Sequence, residues 1–238
     1  MEEKVIGIIG GMGPEATVDI MQRVIKASPA RDDADHLRML VDNNPKVPSR
    51  IKAIIEGTGE SPVPCLQDMA RRLAAWGADF LAMPCNTAHF YHPDIQAAVT
   101  IPVLDMIAIT VRAVVEQTPG LARVGLLAST AVIDLGLYES PFAGRNVALV
   151  TPAEEVQAGV MKAIKTIKTS RYGREVVDAV QAGAEDLLAR GAQVLLVACT
   201  EISLIQGEIR SNAAIFDSAQ ILAEAIVREA SRGRPLKA

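Results

Sequence analysis

Two cysteines carry the chemistry that this chain can offer. Cys85 closes the apolar run of "LAMPCNTAH" (81–89) and Cys199 closes that of "VLLVACTEIS" (194–203). Small polar or acidic residues follow each: Asn86 and Thr87 after the first, Thr200 and Glu201 after the second. The segments "LAAWGADFLAMPCNT" (73–87) and "LLARGAQVLLVACTE" (187–201) align without a gap, with six identities in fifteen positions. A cysteine at the carboxyl end of a parallel strand, where a helix begins, meets unpaired N–H groups that stabilise a thiolate. Two such groups on opposite faces of one carbon could remove a proton on one side and return one on the other. That inverts a stereocentre without a cofactor. The plain alternative is that a cysteine in an apolar stretch is an inert small hydrophobe. Cys65, in "SPVPCLQDMA" (61–70), has no counterpart in the second half, opens an amphipathic helix and reads as packing.

The elements that must position these thiols form an alternating pattern. Strand candidates lie at 4–10, 36–42, 78–84 and 101–106 in the first half, and at 123–129, 146–151, 192–198 and 213–218 in the second. Each is a short, continuous apolar run of the kind buried on both faces. Helix-length stretches with apolar residues three and four apart separate them, such as Cys65 to Trp76 and Gly173 to Arg190. Strand–helix alternation predicts βαβ units and a mostly parallel sheet. The expected fold is α/β: two similar pseudo-symmetric domains, each about four strands flanked by helices, with the active site in the cleft between them. The first would span 1–108, completed by 212–238, and the second 109–211.

Composition removes several function classes. Half of the 238 residues are hydrophobic but only 3 % are aromatic, so the core is Ala, Val, Ile and Leu. A net charge of −4 and a pI near 5.5 give no basic footprint for nucleic acid or anionic membrane. No apolar run reaches the roughly 20 residues that span a bilayer. "MEEKVIGIIGG" is acidic and enters a strand at once, unlike a secretory signal. Three cysteines without CxxC spacing speak against a disulfide scaffold or a zinc site, and free thiols suit a reducing cytoplasm. His89 and His92 are three apart, yet no acidic or cysteine cluster completes a metal site. A tuning role toward Cys85 is open for His89; His36 and His92 read as surface or loop residues. Asp105 and Asp217 end matching strands and are placed to cap the next helices.

The loop "GGMGPEA" satisfies G-x-G-x-x-A through Gly11, Gly13 and Ala16. A nicotinamide-dependent oxidoreductase has such a loop, but the match alone is weak. Its confirming acid belongs roughly 20 residues on, and Asp42 stands later, 26 beyond Ala16. That reading also leaves the duplicated cysteine unexplained. Here the glycines favour a backbone approach to a small carboxylate, with Pro14 opening a helix.

Four segments together, "GIIGGMGPEAT" (7–17), "DNNPKVPSR" (42–50), "MPCNTAH" (83–89) and "VACTEIS" (197–203), resemble the aspartate/glutamate racemase family, and its aspartate racemase branch in particular. The resemblance spans nearly the whole chain. It implies two pseudo-symmetric α/β domains, racemisation of an acidic amino acid by two cysteines with no cofactor and no metal, and a homodimer. Cys85 and Cys199 would be the acid–base pair. Asn86, Thr87 and Thr200 would hold the α-carboxylate and amino group, with Met12, Gly13, Asn44 and Glu201 among the substrate contacts. Arg50 and Lys168 would bind carboxylate oxygens; Arg offers a planar two-donor fork for that purpose. Ser170 stands where the family has a glycine, so Lys165 remains an alternative to Lys168. Three other readings stay open: a broad-specificity racemase, another isomerase or a decarboxylase of the same superfamily, and a non-catalytic small-molecule binding module.

Overall fold

Short β-rich apolar runs become parallel strands because helices cover both faces and leave no solvent side to demand alternation. The computed structural model describes residues 3–169 and 173–232, and Ser170 lies outside them. Among the described residues there are seven strands: β1 (Ile6–Gly10), β2 (Met39–Asn43), β3 (Phe80–Ala82), β4 (Arg123–Ala128), β5 (Ala148–Val150), β6 (Val194–Ala198) and β7 (Ile215–Asp217). The helices are α1 (Pro14–Ala27), α2 (Val63–Trp76), α3 (His92–Gln96), α4 (Met106–Gln117), α5 (Thr130–Asp134), α6 (Glu139–Ala143), α7 (Glu154–Ile167), α8 (Arg174–Ala189), α9 (Thr200–Ser203) and α10 (Ser218–Ala230). None of the helices among the described residues is long and apolar enough to cross a membrane. The chain divides into two compact units, one built from Met1–Met106 with Leu222–Ala238, the other from Ile107–Ile221.

In the first unit the sheet order is β2-β1-β3, all parallel. Ile6 and Ile8 face Ile20 and Val24 of α1 and Leu222 and Ile226 of α10. Ile9 and Leu81 face Leu66, Met69, Ala70 and Leu73 of α2. In the second unit the order is β5-β4-β6-β7, again parallel. Successive residues of β6 alternate between two cores, with Leu195 and Val197 against α7 and α8, and Val194, Leu196 and Ala198 against a cluster holding Val111, Val132 and Phe142.

The strand expected at 101–106 shrinks to a single parallel bridge, Leu81↔Val103. Leu81 N–H bonds Pro102 O and Leu104 N–H bonds Leu81 O, both at 2.8 Å. The rung before this would need an N–H from position 102, which proline lacks. The rung after it would need the Met106 N–H, which is donated to the His89 ring at 3.1 Å. In the second unit β7 begins at the equivalent rung, Leu195↔Ile215, and forms three on β6, so the rungs missing from the first unit are those on the Met106 side. The second strand also begins later than expected, at Met39.

The internal repeat has a steric cause. α2 and α8 close in the same left-handed turn at Gly77 (φ 106°) and Gly191 (φ 91°), with Ala78 N–H bonded to Leu73 O and Ala192 N–H to Leu187 O. Gly7 and Gly125 lie where those turns meet the sheet. A Cβ at Gly7 would sit 2.5 Å from Leu81 Cδ2 and 2.9 Å from Ala78 Cβ. One at Gly125 would sit 2.9 Å from Ala192 Cβ and 3.1 Å from Leu195 Cδ2. The identities Leu73/Leu187, Gly77/Gly191, Ala78/Ala192 and Leu81/Leu195 thus serve one helix–turn–strand contact made twice. Gly125→Ala should cost about 1–3 kcal/mol of stability by overpacking this contact, read as a lower denaturation midpoint at unchanged m-value; an unchanged midpoint would show that the neighbours yield freely.

Candidate active site

β6 ends at Ala198, and Cys199 is the N-cap of the four-residue helix α9. Its sulfur is buried and lies 3.1 Å from Glu201 Oε2. Lys168, which caps the C-terminus of α7, holds its Nζ 3.3 Å from Glu201 Oε1. The Ile202 N–H also points at the sulfur. Helix N-termini lower thiol pKa values, but here the balance runs the other way. Burial pushes the Cys199 thiol well above its ordinary range, the Glu201 carboxylate adds to this by charge and by accepting the S–H, and Lys168 and the Ile202 N–H oppose it only in part. Of the two lysines considered, Lys168 is in the Cys199 environment, whereas Lys165 is exposed on α7.

Cys85 stands three residues beyond β3, also buried. Asn86, buried, is the N-cap of a 3-10 turn at Thr87–Tyr91. In that turn the His89 N–H reaches back to Asn86 O, at 3.0 Å, so the Cys85 carbonyl gets no helical partner. The His89 ring supplies it, with Nδ1 2.8 Å from Cys85 O. Because Met106 N–H donates to Nε2, that nitrogen carries the lone pair and the proton sits on Nδ1. The ring is fully buried and neutral; burial holds its pKa down, against the hydrogen bond to Cys85 and the nearby Asp105. His89 therefore fixes the backbone of the cysteine turn, where a direct contact with the thiol was open. His92 is half-buried and bonds Val103 O at 2.9 Å, contrary to a surface role.

The second unit makes the corresponding tie with a different side chain. Ser203 follows Cys199 by four residues, as His89 follows Cys85. Its N–H bonds Cys199 O at 3.0 Å and its hydroxyl donates to Asp217 Oδ1 at 2.6 Å. Asp217 in turn accepts the Ala219 N–H at 2.9 Å, so it caps α10 as its position at a strand end predicts. Each cysteine turn is thus bound to the end of the next strand segment through its fourth residue. Ser203 was not singled out in the sequence; extending the repeat alignment by two positions pairs it with His89.

The glycine loop is used internally. Gly11, at φ 94°, presses on the backbone of Asn44, where a Cβ would fall 2.2 Å from the carbonyl oxygen. The Gly11 N–H bonds Thr17 Oγ1 at 2.8 Å. Met12 is buried in the same cluster as Cys85, Met69 and Tyr91. Gly13 is the N-cap of α1 and Pro14 its first residue. The Asn44 amide approaches Cys65 Sγ at 3.5 Å and Met69 Sδ at 3.8 Å, and its oxygen accepts the Lys46 N–H. Arg50 donates to Pro48 O at 3.1 Å and lies beside Tyr91, whose phenol burial pushes up against the Arg50 charge. Thr17 and Tyr91 carry no sequence signal of these roles. At the carboxyl edge of β4 and β5 a depression of ≈ 450 Å³ is lined by Thr130, Asp134, Thr151, Glu154 and buried Gln157. No group of three or more His, Cys, Asp or Glu placed to hold a metal ion occurs among the described residues.

Comparison with known proteins identifies the family and the fold. The family model for Asp/Glu/Hydantoin racemase matches residues 9–226. The broad specificity amino-acid racemase RacX of Bacillus subtilis is 28 % identical over 235 residues, covering 93 % of this chain and 96 % of that one. The aspartate racemase of Picrophilus torridus is 31 % identical with a TM-score of 0.81, covering 96 % and 94 %. The glutamate racemase of Francisella tularensis, at 18 % identity and a TM-score of 0.66 over 100 % and 86 %, shares the fold. A duplicated α/β chain with matching cysteine turns and this full-length match belongs to the Asp/Glu/hydantoin racemase family and is an amino-acid racemase.

Proposed function

We propose that the chain inverts Cα of an acidic amino acid, aspartate or glutamate, without a cofactor, and that Cys85 and Cys199 are its acid–base pair. One sulfur takes the Cα proton as a thiolate while the other gives its S–H proton to the opposite face. The electron pair stays on carbon between the two transfers, so no oxidant or reductant enters. The observation that carries this reading is the matched register of the two units. Gly7↔Leu81↔Val103 and Gly125↔Leu195↔Ile215 are equivalent rungs, and from each the chain runs the same four residues to a buried cysteine. Packing alone gives no reason for a thiol at both points. Asn86, Thr87 and Thr200 follow the sulfurs directly and supply donors for the α-carboxylate and partners for the ammonium.

Specificity for a second carboxylate falls to Arg50 and Lys168. Both already have protein partners, Arg50 on the carbonyls of Val47 and Pro48 and Lys168 on Glu201. That engagement favours, as a second reading, a broader range of amino acids, in line with the likeness to RacX. The homodimer and the reducing cytoplasm belong to the same proposal; all three cysteines are free thiols.

The decisive experiment follows solvent deuterium into Cα of each enantiomer of aspartate, glutamate and a neutral amino acid with no added cofactor. Cys85→Ser and Cys199→Ser should each lose racemisation by about 10²–10⁴-fold while binding of the amino acid survives. Retained turnover in either variant rules out the pair. Arg50→Gln should raise KM for aspartate about tenfold and leave a neutral substrate unchanged; an equal effect on both would favour the broad reading.

A further inference from the structure

The two cysteine turns occupy matching places in the repeat but differ in charge, and the charge difference falls on one position. Two residues after Cys85 stands Thr87; two after Cys199 stands Glu201. We propose that Glu201 is a positioning residue whose carboxylate, bonded to Cys199 and ion-paired with Lys168, keeps Cys199 as the thiol in the free enzyme and leaves Cys85 to act first as the base. This rests on the two-thiol reading above, and it moves Glu201 from contact with substrate to control of a catalytic sulfur.

An ionised carboxylate can only accept a hydrogen bond. At 3.1 Å the Cys199–Glu201 contact is therefore favourable with the proton on sulfur. With the proton gone, two anions would face each other in a buried site. Lys168 relieves this only in part, because its ammonium lies 3.3 Å from the other carboxylate oxygen. It pairs with that oxygen and so holds the acceptor in place. Glu201 is 9 % exposed along its side chain and Lys168 37 %, so the pair is an anchored carboxylate met by a cation from the solvent side. Among the described residues the Ile202 N–H of α9 also faces the sulfur, and Asp217 of β7 is taken by Ser203 and Ala219.

The proton count then has a direction. Cys85, as thiolate, takes the Cα proton; the C–H electron pair remains on carbon; Cys199 delivers its S–H proton to the opposite face. The enzyme is left with Cys85 as thiol and Cys199 as thiolate beside Glu201. That form is the costlier one; Cys85 gives its proton to solvent and Cys199 takes one from solvent, which restores the first.

The test needs no substrate. In a chain carrying Cys65→Ser and Cys85→Ser, Cys199 is the sole thiol, and its ultraviolet thiolate absorbance is followed against pH. Adding Glu201→Gln should move the midpoint down by about 1–3 pH units. Adding Lys168→Met should move it up. An unchanged midpoint in a folded Glu201→Gln chain overturns the proposal. Where that variant does not fold, Lys168→Met decides, and no upward shift overturns it. If both shifts appear while the unmutated chain moves no deuterium into Cα, the two-thiol reading fails and the Glu201–Cys199 coupling stands.

Discussion

A hydrogen bond to the carbonyl of each cysteine governs where its sulfur can go. A parallel strand that ends must turn, and the first carbonyls after the last rung lose their ladder partners. At Cys199 a short α-turn answers this need with the Ser203 N–H. At Cys85 the turn is 3-10, its N–H goes elsewhere, and the His89 ring takes over. Both solutions use the fourth residue, and both carry a second bond onward to the end of the next strand segment. Without that second bond each turn would be held at one end only. A thiol with the proposed role of moving protons to and from carbon would have to stay within about half an ångström of its path, which a singly held loop does not provide.

The same tie accounts for a difference between the sheets. In the first unit the Met106 N–H cannot both extend a ladder with β3 and satisfy His89 Nε2. It satisfies His89, and the fourth strand ends after one rung. In the second unit the hydroxyl of Ser203 bonds a side chain, Asp217, and makes no claim on a backbone N–H. β7 keeps its rungs. Positioning of Cys85 and loss of sheet are one hydrogen bond seen from two sides.

The alternation of strands and helices was legible because apolar runs of four to six residues, separated by helical spacing, admit little else. The cysteine turns were legible because duplication repeats them after 114 residues (85 to 199). Other features follow from facts that no single run of sequence contains. The fourth strand of the first unit fails at Met106, yet only the His89 ring that takes its N–H makes that visible. His89 reads as a neighbour of the thiol by spacing, but its ring faces the carbonyl because the turn is 3-10. Asn44 and the Gly11 N–H look available for a ligand in a loop motif, and folding spends them on Cys65, Met69 and Thr17. The expectation of a lowered thiol pKa came from the helix N-terminus alone. Burial and a carboxylate two residues away outweigh a helix of four residues at Cys199.

An enzyme that inverts one centre meets a constraint that most enzymes escape, since its substrate and product have equal free energy in water. Whatever the two sulfurs do, the ratio of kcat to KM must be the same for both enantiomers. If Cys85 and Cys199 are the proposed acid–base pair, an inequality between them cannot favour one product. What it can do is decide which protonation form of the empty enzyme predominates, and hence which enantiomer meets a ready site and which must wait for a proton to move. A symmetric pair would divide the empty enzyme between the two forms. On the proposed two-thiol reading, Glu201 bonded to Cys199, with Thr87 at the matching place after Cys85, weights one form, and this charged position distinguishes the two cysteine turns.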